Sequence, residues 1–267
     1  MANSGLQNGR VRPGDKTTEK IKNFLKSKLD SMLSASLALI KKENSKQYSS
    51  VIIPLCTDRN GSIRLMLNKR SRFVPQPGDL CYPGGGPEPM DITAGWVLRL
   101  MKPGMFKKFG NKSPLIASLL ATALRESWEE IKLNPLALDV LGLLPPQNLL
   151  TFNKTIVAFV CWIDEPVKIR PNKKEVEKVI WVSLDHLIEE NNHAIFRLHG
   201  HPADDHTDFP CFVIQDGIAV EILWGATFRL TMRLLADILG LIPRFNPAHL
   251  IHGVYNPKYK SGYGRRK

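Results

Sequence analysis

Apolar positions along the chain follow two rhythms. Ile21, Phe24, Leu25, Leu29, Met32, Leu33, Leu37 and Ile40 recur at helical spacing. Thr17 or Thr18 is placed to cap this helix, with Glu19 in its first turn. Two strand-like runs follow, Ser50–Thr57 and Ser62–Asn68, and Asn60-Gly61 between them predicts a hairpin. Asp79–Tyr82 reads as a short strand. Ile116, Leu120 and Leu124, four residues apart, give Leu115–Leu133 the pattern of a helix with one buried side, ended by Asn134-Pro135. Leu138–Leu144, Thr155–Ile163 and Glu177–Ser183 read as strands. Thr155–Ile163 is almost wholly apolar and is expected at the centre of a sheet. A short helix is predicted from Leu184 to about Asn191, capped near Ser183. Residues 192–208 read as a polar loop rich in His and Asp. Phe209–Gln215 and Ile218–Leu223 predict a hairpin around Asp216-Gly217, and Trp224–Leu239 predicts a last amphipathic helix ended by Gly240. No internal repeat is visible.

Composition narrows the function classes. The 267 residues have ordinary apolar and charged fractions, enough for a sizeable core. The formal net charge of +12 favours an anionic partner, whether a polyphosphate compound, nucleic acid or a membrane surface. Much of that charge sits at the two ends, and no interleaved aromatic and basic module supports nucleic-acid binding. Cys56, Cys81, Cys161 and Cys211 lie far apart without metal-type spacing and are expected as reduced thiols. The run Met32–Ile40 is too short to span a bilayer, and no basic-then-apolar leader is evident, so the expected location is cytoplasmic. His199-Gly200-His201 beside Asp204, Asp205 and Asp208 invites a zinc reading, but the spacing fits no zinc pattern.

The chemistry concentrates in two stretches. Glu126, Glu129 and Glu130 stand at i, i+3 and i+4, neighbours on one helix face beside Arg125. Carboxylates that close repel unless a cation sits among them, and Mg²⁺ takes one or two carboxylates together with phosphate oxygens. A solvated acidic face is the plain alternative. The second stretch is Pro83-Gly84-Gly85-Gly86-Pro87-Glu88-Pro89-Met90-Asp91, where glycines let backbone approach a ligand closely. Arg70 and Arg72 precede it and are candidates for phosphate contact, or merely a solvated strand end. Residues 92–117 carry apolar and basic side chains with no acid. They suggest a lid, a partner surface or an anion clamp, or an extra surface hairpin or helix pair.

Together these stretches resemble the Nudix hydrolase signature, Gly-x5-Glu-x7-Arg-Glu-U-x-Glu-Glu-x-Gly-U, with U aliphatic. Gly85 and Asp91 match its first part, with Asp for Glu. Arg125, Glu126, Glu129, Glu130 and Leu133 match its second. Thirty-three residues separate Asp91 from Arg125, where the pattern has seven, Ser127 replaces the aliphatic and Lys132 the glycine. Arg70-Ser71, Tyr82-Pro83-Gly84-Gly85, Leu143-Leu144-Pro145-Pro146, Glu175-Val176 and Trp224-Gly225-Ala226-Thr227 resemble the coenzyme A pyrophosphatase branch. The loop before the glycines is one residue shorter than in that branch, with Val74 and Gln76 near its Arg and His places.

The resemblance implies an α/β fold, a Nudix-like α/β/α sandwich with a mixed sheet, plus an N-terminal helix and a basic insertion inside the box. The expected division is a disordered N-terminus over 1–16, a helix over 17–47, a Nudix domain over 48–250 with insertion 92–117, and a basic tail over 251–267. It implies that Glu126, Glu129, Glu130 and Gly84, by its carbonyl or that of Gly85, hold Mg²⁺ or Mn²⁺. Arg125 orients the carboxylates, and Glu126 or Glu175 is the general base. Arg70, Ser71, Arg72, Gly84 and Gly85 would bind a small nucleoside diphosphate derivative. The activity implied is diphosphate hydrolysis, with coenzyme A or an acyl-CoA as leading substrate. A NADH-type dinucleotide, capped RNA or a non-catalytic ligand- or RNA-binding role are the alternatives. The two halves of the box must then meet in space.

Overall fold

The computed structural model describes residues 16–41, 47–149, 154–164, 167–201, 204–245 and 249–254. The expectations for residues 1–15 and for the chain beyond 254 lie outside the described residues. Helix α1 (Lys16–Ser31) buries Ile21, Leu25 and Leu29, one per turn, as the period requires. The helix starts at Lys16, so Thr18 lies inside its first turn and does not cap it. The helix expected to run unbroken to Ile40 breaks at Met32 and resumes as α2 (Leu33–Leu39). Lys22 fixes α1 to the sheet, reaching Asp139 and Asp164 at 3.0 Å each.

Strands β1 (Tyr48–Thr57) and β2 (Ile63–Arg70) form the expected hairpin. Gly61 supplies a φ of 81° in its turn, and Asp58 Oδ1 accepts the Asn60 and Ser62 amides. β1 leaves β2 after three residue pairs. Two short strands, β3 (Leu80–Cys81) on β2 and β4 (Gly84–Gly85) on β1, fill the fork. This fork puts the glycine turn between two strands of the sheet.

The insertion is a helix pair, α3 (Pro89–Met101) and α4 (Pro103–Lys107), split at Pro103. Helix α5 (Ser113–Ile131) follows and carries the three glutamates. Strands β5 (Leu138–Leu143), β6 (Gln147–Asn148), β7 (Thr155–Ile163) and β8 (Val176–Ser183) complete the first sheet, ordered β8-β2-β1-β7-β5. β7 is interior rather than at the middle, which β1 takes; it runs parallel to β1, and the other pairings are antiparallel. Ala158, Val160 and Trp162 face one core with α1 and a later helix. Val157, Phe159, Cys161 and Ile163 face the other, with Phe106 of α4 and Ile116, Leu120 and Leu124 of α5. The architecture is the expected α/β/α sandwich on a mixed sheet.

Helix α6 (Leu184–Ile188) is capped by Ser183, whose hydroxyl accepts the His186 amide. Residues 192–208, expected as a loop, instead build β9 (His193–His201) and the start of β10 (Asp204–Asp216). With β11 (Ala219–Leu223) and β12 (Leu250–Val254) they form a second sheet, ordered β11-β10-β9-β12. β12 runs parallel to β9, so the chain at Ile251 to Val254 belongs to a sheet rather than to a loose tail. Helix α7 (Gly225–Arg233) continues into a π-helical turn over 234–238 and ends before Gly240, whose φ is 68°.

Helices α3 and α5 run antiparallel and touch backbone to backbone at Gly95. A Cβ there would lie 2.5 Å from the Ser118 nitrogen. Alanine at this position would gain about 1 kcal/mol in helix propensity. The clash with immobile backbone outweighs that gain, so Gly95→Ala is expected to cost about 1–3 kcal/mol in urea unfolding. Gly104→Ala, where a Cβ meets nothing within 4 Å, is expected to be neutral or stabilising. Equal stability of the two variants would contradict the close α3–α5 contact.

Candidate active site

The two halves of the box meet through one ion pair. Arg125 donates from Nε to Asp91 Oδ1 at 2.9 Å and from Nη2 to Asp91 Oδ2 at 3.1 Å. Asp91 stands at the third position of α3, where its carboxylate also accepts the Glu88 amide at 2.8 Å and so closes a capping box. The Thr122 hydroxyl donates to the same oxygen at 2.8 Å. Asp91 is 1% exposed. Its burial opposes ionisation, but Arg125, the Glu88 amide and Thr122 together outweigh it and hold the carboxyl below its usual range. The remaining Arg125 donors reach the Gly86 carbonyl, Glu126 Oε1 and Glu129 Oε2 at 3.0–3.1 Å. One guanidinium thus connects turn, insertion and catalytic helix.

The glycine turn is shaped by contact rather than by flexibility. A Cβ on Gly84, whose φ is 146°, would lie 2.2 Å from the Ser50 carbonyl oxygen. A Cβ on Gly85 would lie 2.5 Å from the Glu126 carboxyl carbon. Glu126 therefore rests directly on the Gly85 backbone. Burial raises its pKa, against the pull of Arg125, and Glu129 and Glu175 raise it further. Glu130 points inward between β2 and β4. Its Oε2 accepts Asn68 Nδ2 at 3.0 Å and the Gly84 amide at 3.2 Å. Burial pushes it up to about 8. The Glu126 and Glu175 charges add to that, while the Gly84 amide and Arg70 act against it.

Of the sequence-derived candidates, the structure brings Arg70, Gly84, Gly85, Arg125, Glu126, Glu129, Glu130 and Glu175 to one region. Gly84 meets the carboxylates through its amide. Glu129 is held on the outer side by Arg125. Arg70 is anchored by Nε to the Pro75 carbonyl at 2.7 Å. Ser71 is buried, and its hydroxyl donates to the Lys174 carbonyl at 2.6 Å, a tie between loop and strand. Arg72 instead stacks on the exposed ring of Phe73. His193 is buried in the second sheet against the Leu187 and Arg244 carbonyls. His199 pairs with His252 across strands at 2.8 Å, so neither belongs to the carboxylate region.

Two departures from the box are locally accommodated. Ser127 is buried and donates to the Ala123 carbonyl of its own helix at 2.6 Å. Lys132 adopts the left-handed conformation, φ 57°, that the box glycine would favour, with its ammonium over the Trp128 ring. Sequence reasoning missed Asn68. Its signal was a polar residue closing the apolar alternation of β2, at a position that proves fully buried. Its Oδ1 finds no hydrogen-bond partner among the described residues. Also missed were the Tyr82 hydroxyl bond to Thr231 at 2.7 Å and the Trp224 bond to Asp79 at 3.2 Å, which tie the turn's approach to α7 and its flank.

Among the described residues no three Asp, Glu, His or Cys side chains are gathered closely enough to enclose a metal. The donor set still fits Mg²⁺ or Mn²⁺. Glu126 and Glu130 converge on the glycine turn with too few counter-charges, and such ions complete their shell with water and substrate oxygens.

In metal-free protein the raised Glu130 pKa means that the native state keeps a proton the unfolded chain releases near 4.5. Stability is then expected to fall as pH rises from about 4.5 to about 8, and to level off above that. Glu130→Gln should remove most of that fall, the raised Glu126 supplying the rest, read as urea midpoints in chelator across this range. Parallel curves for the two proteins would contradict a buried protonated Glu130. Asp91→Ala leaves Arg125 without its main partner and is expected to cost about 3 kcal/mol.

Residues 116–200 match the NUDIX domain family. A peroxisomal coenzyme A diphosphatase of Mus musculus is 29% identical over 145 residues, covering 54% of this chain and 50% of that protein. A mitochondrial coenzyme A diphosphatase of Homo sapiens is 28% identical over 151 residues, covering 54% and 51%. Among solved structures, a MutT/nudix family protein from Enterococcus faecalis is similar with a TM-score of 0.42 and 13% identity, over 85% of this chain and 75% of that one. The chain spans about half the length of the two diphosphatases it matches. No helix among the described residues is long and apolar enough to cross a membrane. Residues 116–200 are thus similar to the NUDIX domain, and the chain is similar to Nudix hydrolases, coenzyme A diphosphatases among them.

Proposed function

We propose that the protein hydrolyses the diphosphate bond of a nucleoside diphosphate derivative with the help of a divalent cation. The observation that carries this reading is the convergence of Glu126 and Glu130 on the Gly84-Gly85 backbone, with Arg125 clamping both halves of the box. A bound Mg²⁺ or Mn²⁺ would neutralise the diphosphate and acidify the attacking water. Glu126, Glu130 and Glu129, with the Gly84 carbonyl, would hold it. Arg125 keeps Glu126 and Glu129 oriented, and Asn68 keeps Glu130 oriented. Glu126 or Glu175 removes the proton from water. Arg70 beside Glu130, with the bare glycine backbone, offers the phosphates a place to dock, and Ser71 holds the loop that carries Arg72.

Coenzyme A or an acyl-CoA is our leading substrate, giving 3′,5′-ADP and the (acyl-)4′-phosphopantetheine. The names of the two diphosphatase relatives and the Tyr82-Pro83-Gly84-Gly85 turn support it. The retained carboxylates favour an enzyme over a binding module. The four cysteines are unpaired thiols, which suits a reducing compartment, cytoplasmic in our reading. The two relatives are named as peroxisomal and mitochondrial.

The test is product analysis with Mg²⁺ or Mn²⁺ on coenzyme A, acyl-CoA, NADH and capped RNA. Cleavage of coenzyme A at the diphosphate is expected. Cleavage of NADH or capped RNA alone would replace the substrate, and no cleavage of any would favour a binding role. Glu130→Gln and Glu126→Gln should each lower kcat about 100-fold or more without loss of fold. If Glu175→Gln has the larger effect on kcat and its pH profile, Glu175 is the base.

A further inference from the structure

The insertion helix α3 carries a surface the hydrolytic chemistry does not use. Asp91, Gly95 and the half-buried Leu98 face α5. On the opposite side Met90, Ile92, Trp96, Val97, Leu100 and Met101 are between 42% and 68% exposed. Ile92, Trp96 and Leu100 form one row at four-residue steps, and Val97 and Met101 lie in the next row. A continuous apolar helix face on a soluble surface marks an interaction site.

Charge says what kind. Residues 92–117 contain no Asp or Glu. Two of the cations there are occupied: Lys108 is paired with Asp30, and Lys112 donates to the Leu37 and Ile40 carbonyls. Arg99, Lys102 and Lys107 have no ion pair among the described residues. At 100° per residue Arg99 sits on the rim of the apolar rows, whereas Lys102, four residues after Leu98, turns towards the cleft it lines with Lys26, Asp30 and Asp139. Apolar side chains flanked by unpaired cations are the pattern of a helix that lies in a bilayer interface. A second copy of the chain would bring the same cations towards one another, whereas anionic headgroups would neutralise them.

We propose that the outer face of α3 docks on an anionic lipid surface, with Trp96 and Leu100 entering the acyl boundary and Arg99 on its rim meeting the headgroups. The helix begins at the capping box that holds Arg125, so docking would set the carboxylate region beside the bilayer. The proposal stands whatever the Nudix substrate is, because it is read by binding and not by turnover.

The experiment is co-sedimentation of the full chain with vesicles of phosphatidylcholine alone and of phosphatidylcholine mixed with phosphatidylglycerol. Binding is expected to the mixed vesicles only, with a blue shift of tryptophan emission that Trp96→Phe removes. Trp96→Ser combined with Leu100→Ser should weaken binding about tenfold or more, with an unchanged unfolding midpoint. Arg99→Glu should reduce its dependence on the anionic lipid. No binding of the wild-type chain to anionic vesicles would overturn the proposal. Undiminished binding of both the double variant and Arg99→Glu would overturn it too, moving the contact to another basic part of the chain. A dimer in analytical ultracentrifugation that Trp96→Ser with Leu100→Ser dissociates, without vesicle binding, would assign the face to a second copy.

Discussion

The buried pair between Arg125 and Asp91 is the interaction on which the site depends. Taking both charges out of water is costly, and only dense hydrogen bonding repays it. Asp91 receives two guanidinium bonds, an amide and a hydroxyl. Arg125 spends its other donors on the Gly86 carbonyl and on two of the helix glutamates. Because a guanidinium presents five donors in a rigid fork, it can set the relative position of three segments at once. A lysine would supply the charge but not the geometry.

The same face of α5 shows how three carboxylates coexist on one turn. Glu129 turns outward and Glu126 sits between Arg125 and the Gly85 backbone. Glu130 turns into the fork of the sheet and takes donors from Asn68 and Gly84. The outer carboxylates share one cation. The inner one is held by the Asn68 and Gly84 dipoles with Arg70 nearby, and burial outweighs them, so its proton is held more tightly. The fork between β1 and β2 is what makes room for this. Had the hairpin stayed paired along its length, neither the glycine turn nor an inward Glu130 could be accommodated.

Much of this was legible in the chain because the signals are local. The unbroken apolar run of β7 reflects burial on both faces, and the four-residue spacing in α5 reflects burial on one. The Asn60-Gly61 turn states its own geometry. The split box could be read across 33 residues because Gly85 to Asp91 and Arg125 to Glu130 each keep the spacing of the signature on their own side of the gap. Less legible was whatever depends on distant partners. Residues 192–208 read as a loop from their His and Asp content, yet they pair across β9 and β10, a partnership that local composition does not state. β12 is a strand only because β9 offers it an edge. The role of Asn68 arises from its bond to Glu130, far away in sequence.

The insertion shows why a catalytic motif can be interrupted at all. Loop-closure entropy grows only slowly with length, so the added residues cost little if their ends return together. Antiparallel packing of α3 on α5 ensures that return, and it needs a small residue where the backbones cross. Gly95 fills that need. The inward face of α3 thus restores the geometry of an uninterrupted box, through Asp91 at one end of the helix. Its outward face is under no such demand, yet it is lined with apolar side chains. Maintaining them in water is unfavourable for a solitary surface, so the insertion's contribution lies in what that face meets.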